Sequence, residues 1–231
     1  PLAILRVTAD LLFQRRDRPP AASGALLADL RDELARLERL ANDLLTLARS
    51  DTGQLGLAVG EVDLTALASD VVRRTTALAN ERQLTLTADL GDEPLVMEGD
   101  PDRLQQIVLI LVDNALKYTP ASGQVSVRTY GRHGRAVLEV RDTGGGIAEA
   151  DLTRVFDRFY RVDAARSSEG AGIGLAIARS LVLAHQGHIQ LESTPGVGTT
   201  VTIQFPLVHE RRSLLARVGQ FAARHAHRPM H

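Results

Sequence analysis

Two residues near the middle of the chain are suited to metal and phosphate chemistry. Asn114 and Lys117 lie three positions apart in Asp113–Thr119, at the end of an apolar helical pattern, so they share nearly one helix face. On that face a neutral amide oxygen suits a hard cation such as Mg²⁺, which takes its other oxygens from phosphate and water. Lys117 is the only lysine among 27 basic residues, and its ammonium suits phosphate as a compact charge. Taken alone, the pair is better explained as a capping amide and a solvated lysine than as a ligand site.

Two glycine-rich segments follow in the second half of the chain. Asp142–Ile147 comes directly after a strand-like run, and Gly170–Leu175 opens a helix. Glycine lets a ligand approach the backbone closely, and the amides at a helix N-terminus attract phosphate oxygens. The spacing of Gly170, Gly172 and Gly174 is similar to a dinucleotide fingerprint, but no strand leads directly into it, so its context argues against that fold. An Asp-Thr-Gly run alone is also common in ordinary turns.

Apolar spacing predicts the elements that position these segments. A helix with Asp63 as its N-cap is expected over about 63–81, with its inward face formed by Leu64, Leu67, Val71 and Leu78. Further helices are expected from Asp100-Pro101 to Ala115 and over 148–156 and 174–184. Strands are expected at 84–88, 125–129, 136–140, 189–192 and 199–205. Tight turns join most successive strands, which indicates an α/β sandwich with a mixed sheet covered on one face by helices.

The first fifty residues carry a heptad pattern instead. The seam consists of Leu27, Leu30, Leu34, Leu37, Ala41, Leu44 and Ala48. Leu2, Leu5, Ala9 and Leu12 predict a shorter helix upstream, and residues 17–24 predict a helix-breaking connection. Two such helices form an antiparallel hairpin, and a dimeric four-helix bundle would bury both stripes, although an intramolecular helical subdomain is the alternative.

This pattern divides the chain into a hairpin over 1–52, a linker over 53–62, an α/β domain over 63–208 and a tail over 209–231. The tail has the pattern of a basic amphipathic helix, which would dock on the domain, on a partner or on an anionic surface. A partly ordered terminus explains that pattern equally well.

Composition excludes several classes of protein. The 231 residues carry a net charge of -1 and 3% aromatic residues, so neither a basic field nor a stacking platform is available for nucleic acid. The absence of cysteine excludes disulfides and thiolate metal sites and favours a reducing compartment. The longest strongly apolar run, 107–112, is far shorter than the roughly 20 residues of a membrane helix. The chain opens at Pro1 without an initiator Met, so a fragment of a longer protein is expected.

Taken in order, the segments resemble a known family. Asp113–Thr119, Asp142–Ile147, Phe156–Arg161 and the pair Gly170–Leu175 with Gly196–Thr200 resemble the N, G1, F and G2 boxes of the catalytic ATP-binding domain of sensor histidine kinases. That domain belongs to the superfamily of type II topoisomerases and heat-shock chaperone ATPases. The hairpin resembles the family's dimerisation and phosphotransfer domain, and the resemblance covers roughly residues 1–208.

The resemblance implies a protein-histidine kinase of a two-component signalling system. Its cofactors would be ATP and Mg²⁺, and its partners a second copy of the chain, through the hairpin, and the receiver domain of a response regulator. No nucleic acid is expected. Residues 1–231 would form a cytoplasmic portion of the protein, and any contact with a bacterial plasma membrane would come through other segments.

The resemblance also assigns roles to residues. The Asp142 carboxylate would accept the adenine amino group, Asn114 would hold Mg²⁺, and Arg158 and Arg161, together with Asn114 and Lys117, would act in catalysis. A solvated face explains the two arginines equally well. The expected nucleotide-binding residues are Asn114, Lys117, Tyr118, Asp142, Gly144, Gly146, Ile147, Gly170, Gly172, Gly174, Leu175 and Thr200. Thr200 would reach adenine through water or serve only as a strand residue, and 157–172 would form a lid.

Two departures from the family pattern leave alternatives open. None of the seven histidines lies on the first helix, so the phospho-accepting histidine is expected upstream of Pro1. Ile110 stands where the family usually has an asparagine and where hydrolytic relatives have a glutamate one turn before the metal asparagine. Because isoleucine cannot activate water, Ile110 argues against an ATPase conformational machine. It is compatible with an ATP-binding, phosphatase-biased or degenerate transmitter of weak kinase activity, whereas the hairpin argues against a serine-kinase relative.

Overall fold

The computed structural model describes residues 20–52, 55–162 and 171–208. These residues fall into two compact units, which divide between residues 53 and 54. The predicted first helix, the tail from residue 209 and part of the predicted lid lie outside the described residues. The hairpin and its dimer therefore stay predictions.

In the described residues of the first unit, helix α1 runs without a break over Pro20–Asp51. The prediction that the connection extends to residue 24 is therefore wrong from Pro20 onward. Proline is tolerated in the first turn of a helix, where its missing N–H would have no partner. The single glycine, Gly24, costs only about 1 kcal/mol relative to alanine, which a helix of 32 residues tolerates.

Much of the heptad seam on α1 is open to solvent. Leu27, Leu34 and Leu44 are 55%, 51% and 42% exposed, whereas Leu47, one position before Ala48 of the seam, is buried. Leu30 and Leu37 are half-buried. The helix thus presents a stripe of leucine side chains on its surface.

The second unit is built on two sheets. The smaller one pairs β1 (Gly60–Asp63) with β3 (Val96–Gly99) in antiparallel register, and the sequence pattern did not predict it. The larger one contains β2 (Thr85–Leu90), β4 (Gln124–Arg132), β5 (Arg135–Asp142), β6 (His188–Thr194) and β7 (Gly198–Pro206). Its strand order is β2-β4-β5-β7-β6, with β2 and β4 parallel and the other neighbours antiparallel. The predicted mixed sheet is confirmed.

Three helices pack with this sheet: α2 (Leu64–Glu81), α3 (Pro101–Tyr118) and α5 (Gly174–Ala184). Asp63 caps α2 by accepting a hydrogen bond from the Thr65 amide at 2.9 Å, as predicted. The helix predicted over 148–156 is shorter than expected, because only α4 (Glu149–Leu152) is helical. Its N-cap residue, Ala148, has no side-chain acceptor for the first amides of the helix. Just beyond the helix the chain forms a turn, in which the Asp157 amide donates to the Arg154 carbonyl oxygen at 2.8 Å.

The core lies between the helices and one face of the larger sheet. Along β5, Ala136, Leu138 and Val140 are buried, and they pair with buried residues of β7. On α2 the predicted Leu64 and Val71 are buried, but Leu67 and Leu78 are only half-buried because Ala68, Thr75 and Ala79 complete the inward stripe. Helix α3 packs against both α2 and α5. Ile110 and Asn114, in the C-terminal half of α3, lie beside Gly174 at the start of α5. In the described part of the chain, no helix is long and apolar enough to cross a membrane.

Candidate nucleotide-binding site

A buried carboxylate ends strand β5. Asp142 is 9% exposed, and its side chain shares the helix-covered face with Ala136, Leu138 and Val140. Its Oδ1 accepts hydrogen bonds from the amides of Gly144 at 2.8 Å and Thr199 at 3.2 Å. Its Oδ2 has no hydrogen-bond partner within the described part of the chain. Burial raises the pKa of Asp142, and the two amide bonds only partly oppose this effect, so the net pKa lies above the usual range.

The loop that follows Asp142 requires glycine at two positions. A Cβ at Gly144 would overlap the carbonyl oxygen of Tyr118 and lie 2.8 Å from Oδ1 of Asp142. Gly146 has a φ of +68°, and a Cβ there would overlap the carbonyl oxygen of Thr194. The loop is therefore packed between the end of α3 and the β6–β7 hairpin, which brings the first and second predicted segments together.

The β6–β7 hairpin holds this loop through hydrogen bonds. The Ile147 amide donates to Oγ of Ser193 at 2.8 Å, and the Gly196 amide donates to the Gly145 carbonyl oxygen at 2.8 Å. The sequence motifs predicted Ile147 but not Ser193. A single serine within a strand is not a recognisable motif. Only its position three residues before Gly196–Thr200 in the sequence could have pointed to it.

The start of α5 lies beside Asn114. A Cβ at Gly174 would be 3.9 Å from Nδ2 of Asn114 and 3.3 Å from Cγ2 of Ile110. The N-cap residue of α5, Ile173, makes no side-chain capping bond, so the first amides of the helix lack that usual acceptor. The structure thus places the half-buried Asn114 next to a helix N-terminus of the kind that attracts phosphate.

The remaining residues of α3 lie around this point. Lys117 is half-buried in the last turn of α3, and its Nζ is 5.3 Å from the ring centroid of Tyr118, which is 41% exposed. Leu175 is half-buried in the first turn of α5. Among the described residues, no group of three His, Cys, Asp or Glu side chains is placed to hold a metal ion.

Phe156–Arg161 packs against the loop before α5. A Cβ at Gly172, whose φ is +70°, would lie 2.7 Å from the Tyr160 carbonyl oxygen and 2.9 Å from Cγ of Arg161. Arg161 is half-buried and Arg158 is exposed. Gly170 lies outside the described residues, as do residues 163–169 of the predicted lid.

Thr200 is not brought to this pocket. It pairs with Arg141 of β5 and Glu192 of β6, and paired residues share one face of a sheet, so Thr200 points to the face opposite Asp142. The structure thus places Thr199, and not Thr200, on the face of Asp142. That residue follows Gly198 and donates its amide to Asp142.

Comparison with known proteins agrees with this geometry. Residues 99–209 match the family described as histidine kinase-, DNA gyrase B-, and HSP90-like ATPase. The chain is 35% identical over 207 residues to the sensor histidine kinase YkoH of Bacillus subtilis, an alignment that covers 89% of this chain and 44% of YkoH. The chain spans a quarter to about half of the length of the curated relatives it matches.

Solved structures give the same result. The mycobacterial sensor histidine kinase MprB is 31% identical, with a TM-score of 0.55, and the match covers 64% of this chain and 97% of that chain. Full-length ShkA, crystallised in complex with AMPPNP, is 26% identical, with a TM-score of 0.72, and the match covers 90% of this chain and 46% of ShkA. The chain therefore belongs to the sensor histidine kinases, and residues 99–209 carry the ATPase domain that this family shares with DNA gyrase B and HSP90.

Proposed function

We propose that this chain binds Mg²⁺-ATP in the pocket between the end of α3, the loop after Asp142 and the start of α5. In the intact protein, the bound ATP would phosphorylate a histidine, expected upstream of Pro1, and the phosphoryl group would pass to an aspartate on the receiver domain of a response regulator. The complex of ShkA with AMPPNP, an ATP analogue, supports nucleotide binding by a related fold.

The hydrogen-bond inventory of Asp142 carries this proposal. Two backbone amides occupy Oδ1, whereas Oδ2 has no partner within the described residues although the side chain is 9% exposed. A ligand that donates a hydrogen bond to Oδ2 would compensate the cost of burying this charge. The exocyclic amino group of adenine is such a donor, whereas the oxo group of guanine at the same position would face the carboxylate with its own lone pairs.

The chain also offers a fitting place for phosphate and metal. The uncapped amides at the start of α5 lie next to Asn114, and Lys117 follows one turn later on α3. Asn114 would supply one amide oxygen to Mg²⁺, and bound Mg²⁺ would neutralise phosphate charge. Since the described residues contain no acidic metal cluster, we expect Mg²⁺ to bind together with the nucleotide and not before it.

The two arginines of Phe156–Arg161 would complete the site. The Cγ of Arg161 lies against Gly172, two residues before the start of α5, and we propose that its guanidinium reaches the phosphate position. We assign Arg158 and Arg161 to neutralising charge on the transferring phosphoryl group, which is the main catalytic task in phosphoryl transfer.

The leucine stripe of α1 supports a homodimer. Leu27, Leu34 and Leu44 are exposed in the single chain, and a stripe at heptad spacing is the pattern that buries itself against another helix. The dimer would form through the helical unit, as expected for a four-helix bundle.

Titration of the full chain with ATP in the presence of Mg²⁺, followed by calorimetry, tests the binding. Asp142→Asn is expected to weaken ATP by about 10- to 100-fold, the factor for one hydrogen bond to a charged group. Asn114→Ala is expected to weaken ATP only when Mg²⁺ is present. Asp113→Asn, an exposed neighbour on the same helix, is the control. Equal affinity in all four proteins would refute the proposed pocket.

Ile110 favours a second candidate, an ATP-binding transmitter with little kinase activity. Its Cγ2 lies close to the Cβ position of Gly174, so an apolar group occupies a place beside Asn114 where an amide would aid Mg²⁺ binding. Phosphohistidine formation by the intact protein separates the two candidates. The kinase forms it from ATP, whereas the degenerate transmitter binds ATP and forms none.

A further inference from the structure

Ser193 contacts two segments next to Asp142, namely the loop that follows Asp142 and the start of β7. Its Oγ lies 2.8 Å from the Ile147 amide, 2.9 Å from the Gly198 carbonyl oxygen and 2.9 Å from Oγ1 of Thr199. The first contact holds the loop after Asp142. The other two hold the start of β7, where Ser193 and Thr199 form a cross-strand pair.

The three contacts fix the direction of the Thr199 hydroxyl. A serine hydroxyl has one proton and accepts two hydrogen bonds. The Ile147 amide supplies its own proton, and the Gly198 carbonyl oxygen can only accept, so the Ser193 proton goes to Gly198. Thr199 must then donate its proton to Ser193, since no other arrangement gives all three contacts a proton. The lone pairs of Oγ1 of Thr199 remain for other donors.

Thr199 in turn touches the carboxylate. Its amide donates to Oδ1 of Asp142 at 3.2 Å, so the position of Thr199 helps to determine how Asp142 is held. Since Arg141 pairs with Thr200, the side chains of Thr199 and Asp142 share the opposite face of the sheet. Two acceptors on that face, Oδ2 of Asp142 and Oγ1 of Thr199, suit the N–H bonds of an exocyclic amino group and oppose the lone pairs of an oxo group at the same position.

We propose that Ser193 is a positioning residue that sets the preference of this pocket for a 6-amino purine over a 6-oxo purine. It acts through Thr199 and Ile147 and does not itself contact the base. The inference rests on the proposed function, namely that a purine nucleotide binds at Asp142.

The test compares ADP with IDP, whose bases carry an amino or an oxo group at C6 and also differ at N1, which bears a hydrogen only in IDP. Binding of each to the full chain is measured with Mg²⁺ by calorimetry. Ser193→Ala is expected to weaken ADP by about tenfold, the factor for one lost hydrogen bond, and to weaken IDP less. The ratio of the two dissociation constants should therefore fall, which a general loosening of the fold would not produce.

Two further variants show whether the ratio depends on the Ser193 hydroxyl and its contact with Thr199, and not on the overall stability of the fold. Ser193→Thr keeps the hydroxyl and should restore the ratio, and Thr199→Val should lower it as Ser193→Ala does. Thr202→Ala, on the opposite face of β7, is the matched control and should leave it unchanged. A ratio within twofold of the parent value in Ser193→Ala would overturn the inference.

The same data distinguish failure of the inference from failure of the proposed function. If the parent chain binds neither ADP nor IDP, the proposed function is wrong. If the parent prefers ADP and Asp142→Asn loses that preference while Ser193→Ala keeps it, the pocket stands and only the role of Ser193 is refuted.

Discussion

Asp100 links three parts of the second unit, and the structure predicts how much stability is lost when its side chain is removed. Its Oδ1 caps α3 by accepting from the amides of Asp102 and Arg103, both at 3.1 Å, and its Oδ2 accepts from the Ala58 amide of the linker at 2.9 Å. Its own amide donates to Nε2 of the buried His185 at 3.0 Å. The backbone bond to His185 survives in Asp100→Ala, but the other three are lost.

The expected cost follows from these losses. Removing an N-cap side chain costs about 1 kcal/mol, and leaving the Ala58 amide without its acceptor adds about 1 kcal/mol. A total of about 2 kcal/mol corresponds to a fall of about 4–8 °C in the melting temperature of a unit of this size. Urea and thermal unfolding, followed by circular dichroism, measure both values.

The same variant predicts a dependence on pH. Burial acts to raise the pKa of Asp100, but the hydrogen bonds from Ala58, Arg103 and Asp102 outweigh it and hold the pKa below the usual range. A lowered pKa in the folded state means that the ionised carboxylate stabilises the fold at pH values above the unfolded pKa of about 3.9. The difference between the parent and Asp100→Ala should therefore be constant near neutral pH and shrink as the pH falls below about 4.

Asp102→Ala is the control for this prediction. Asp102 is exposed in the first turn of α3 and interacts with the helix dipole, which is worth about 0.3–1 kcal/mol. If Asp100→Ala and Asp102→Ala unfold at the same urea concentration, the reasoning from the three lost hydrogen bonds is refuted.

Three other variants test the site and the core. Burial raises the pKa of Asp142, so the parent loses stability as the pH rises above the unfolded pKa of about 3.9 and the carboxylate ionises. Asp142→Asn should therefore melt at a higher temperature than the parent between pH 4 and pH 7, although it loses ATP affinity. A lower melting temperature of Asp142→Asn at pH 7 would contradict this. Gly146→Ala should weaken ATP binding in calorimetry, since its Cβ would overlap Thr194 at a φ of +68°, whereas Gly145→Ala has room for its Cβ and should bind normally. Phe205→Ala, at 0% exposure against the His185 ring, should cost about 3–5 kcal/mol in urea unfolding, and a cost below about 1 kcal/mol would count against its place in the core.

The sequence predicts an element well where cap and periodicity agree. Asp63 and Asp100 each precede an apolar helical repeat, and both cap the expected helices. The helix over 174–184 has the predicted bounds. The β1–β3 pair was missed because four-residue strands carry little periodicity, and their partners lie far apart in the chain.

The residues of the candidate site were also predicted only in part from the sequence. Asn114 and Asp142 follow from their segments, but the choice between Thr199 and Thr200 depends on sheet register, where a shift of one residue changes the face. Ser193 depends on three tertiary contacts that no local pattern reveals.

The exposed side chains on both outer strands of the larger sheet, β2 and β6, are mostly polar. On β6 the exposed positions include His188, Gln190 and Glu192, and on β2 the exposed Asp89 pairs with Arg128 of β4 at 2.9 Å. Charged and polar edge strands discourage the addition of a strand from another molecule, which is the first step of sheet-driven aggregation. The composition of these two strands therefore disfavours growth of the larger sheet by pairing with a strand of another copy of the protein.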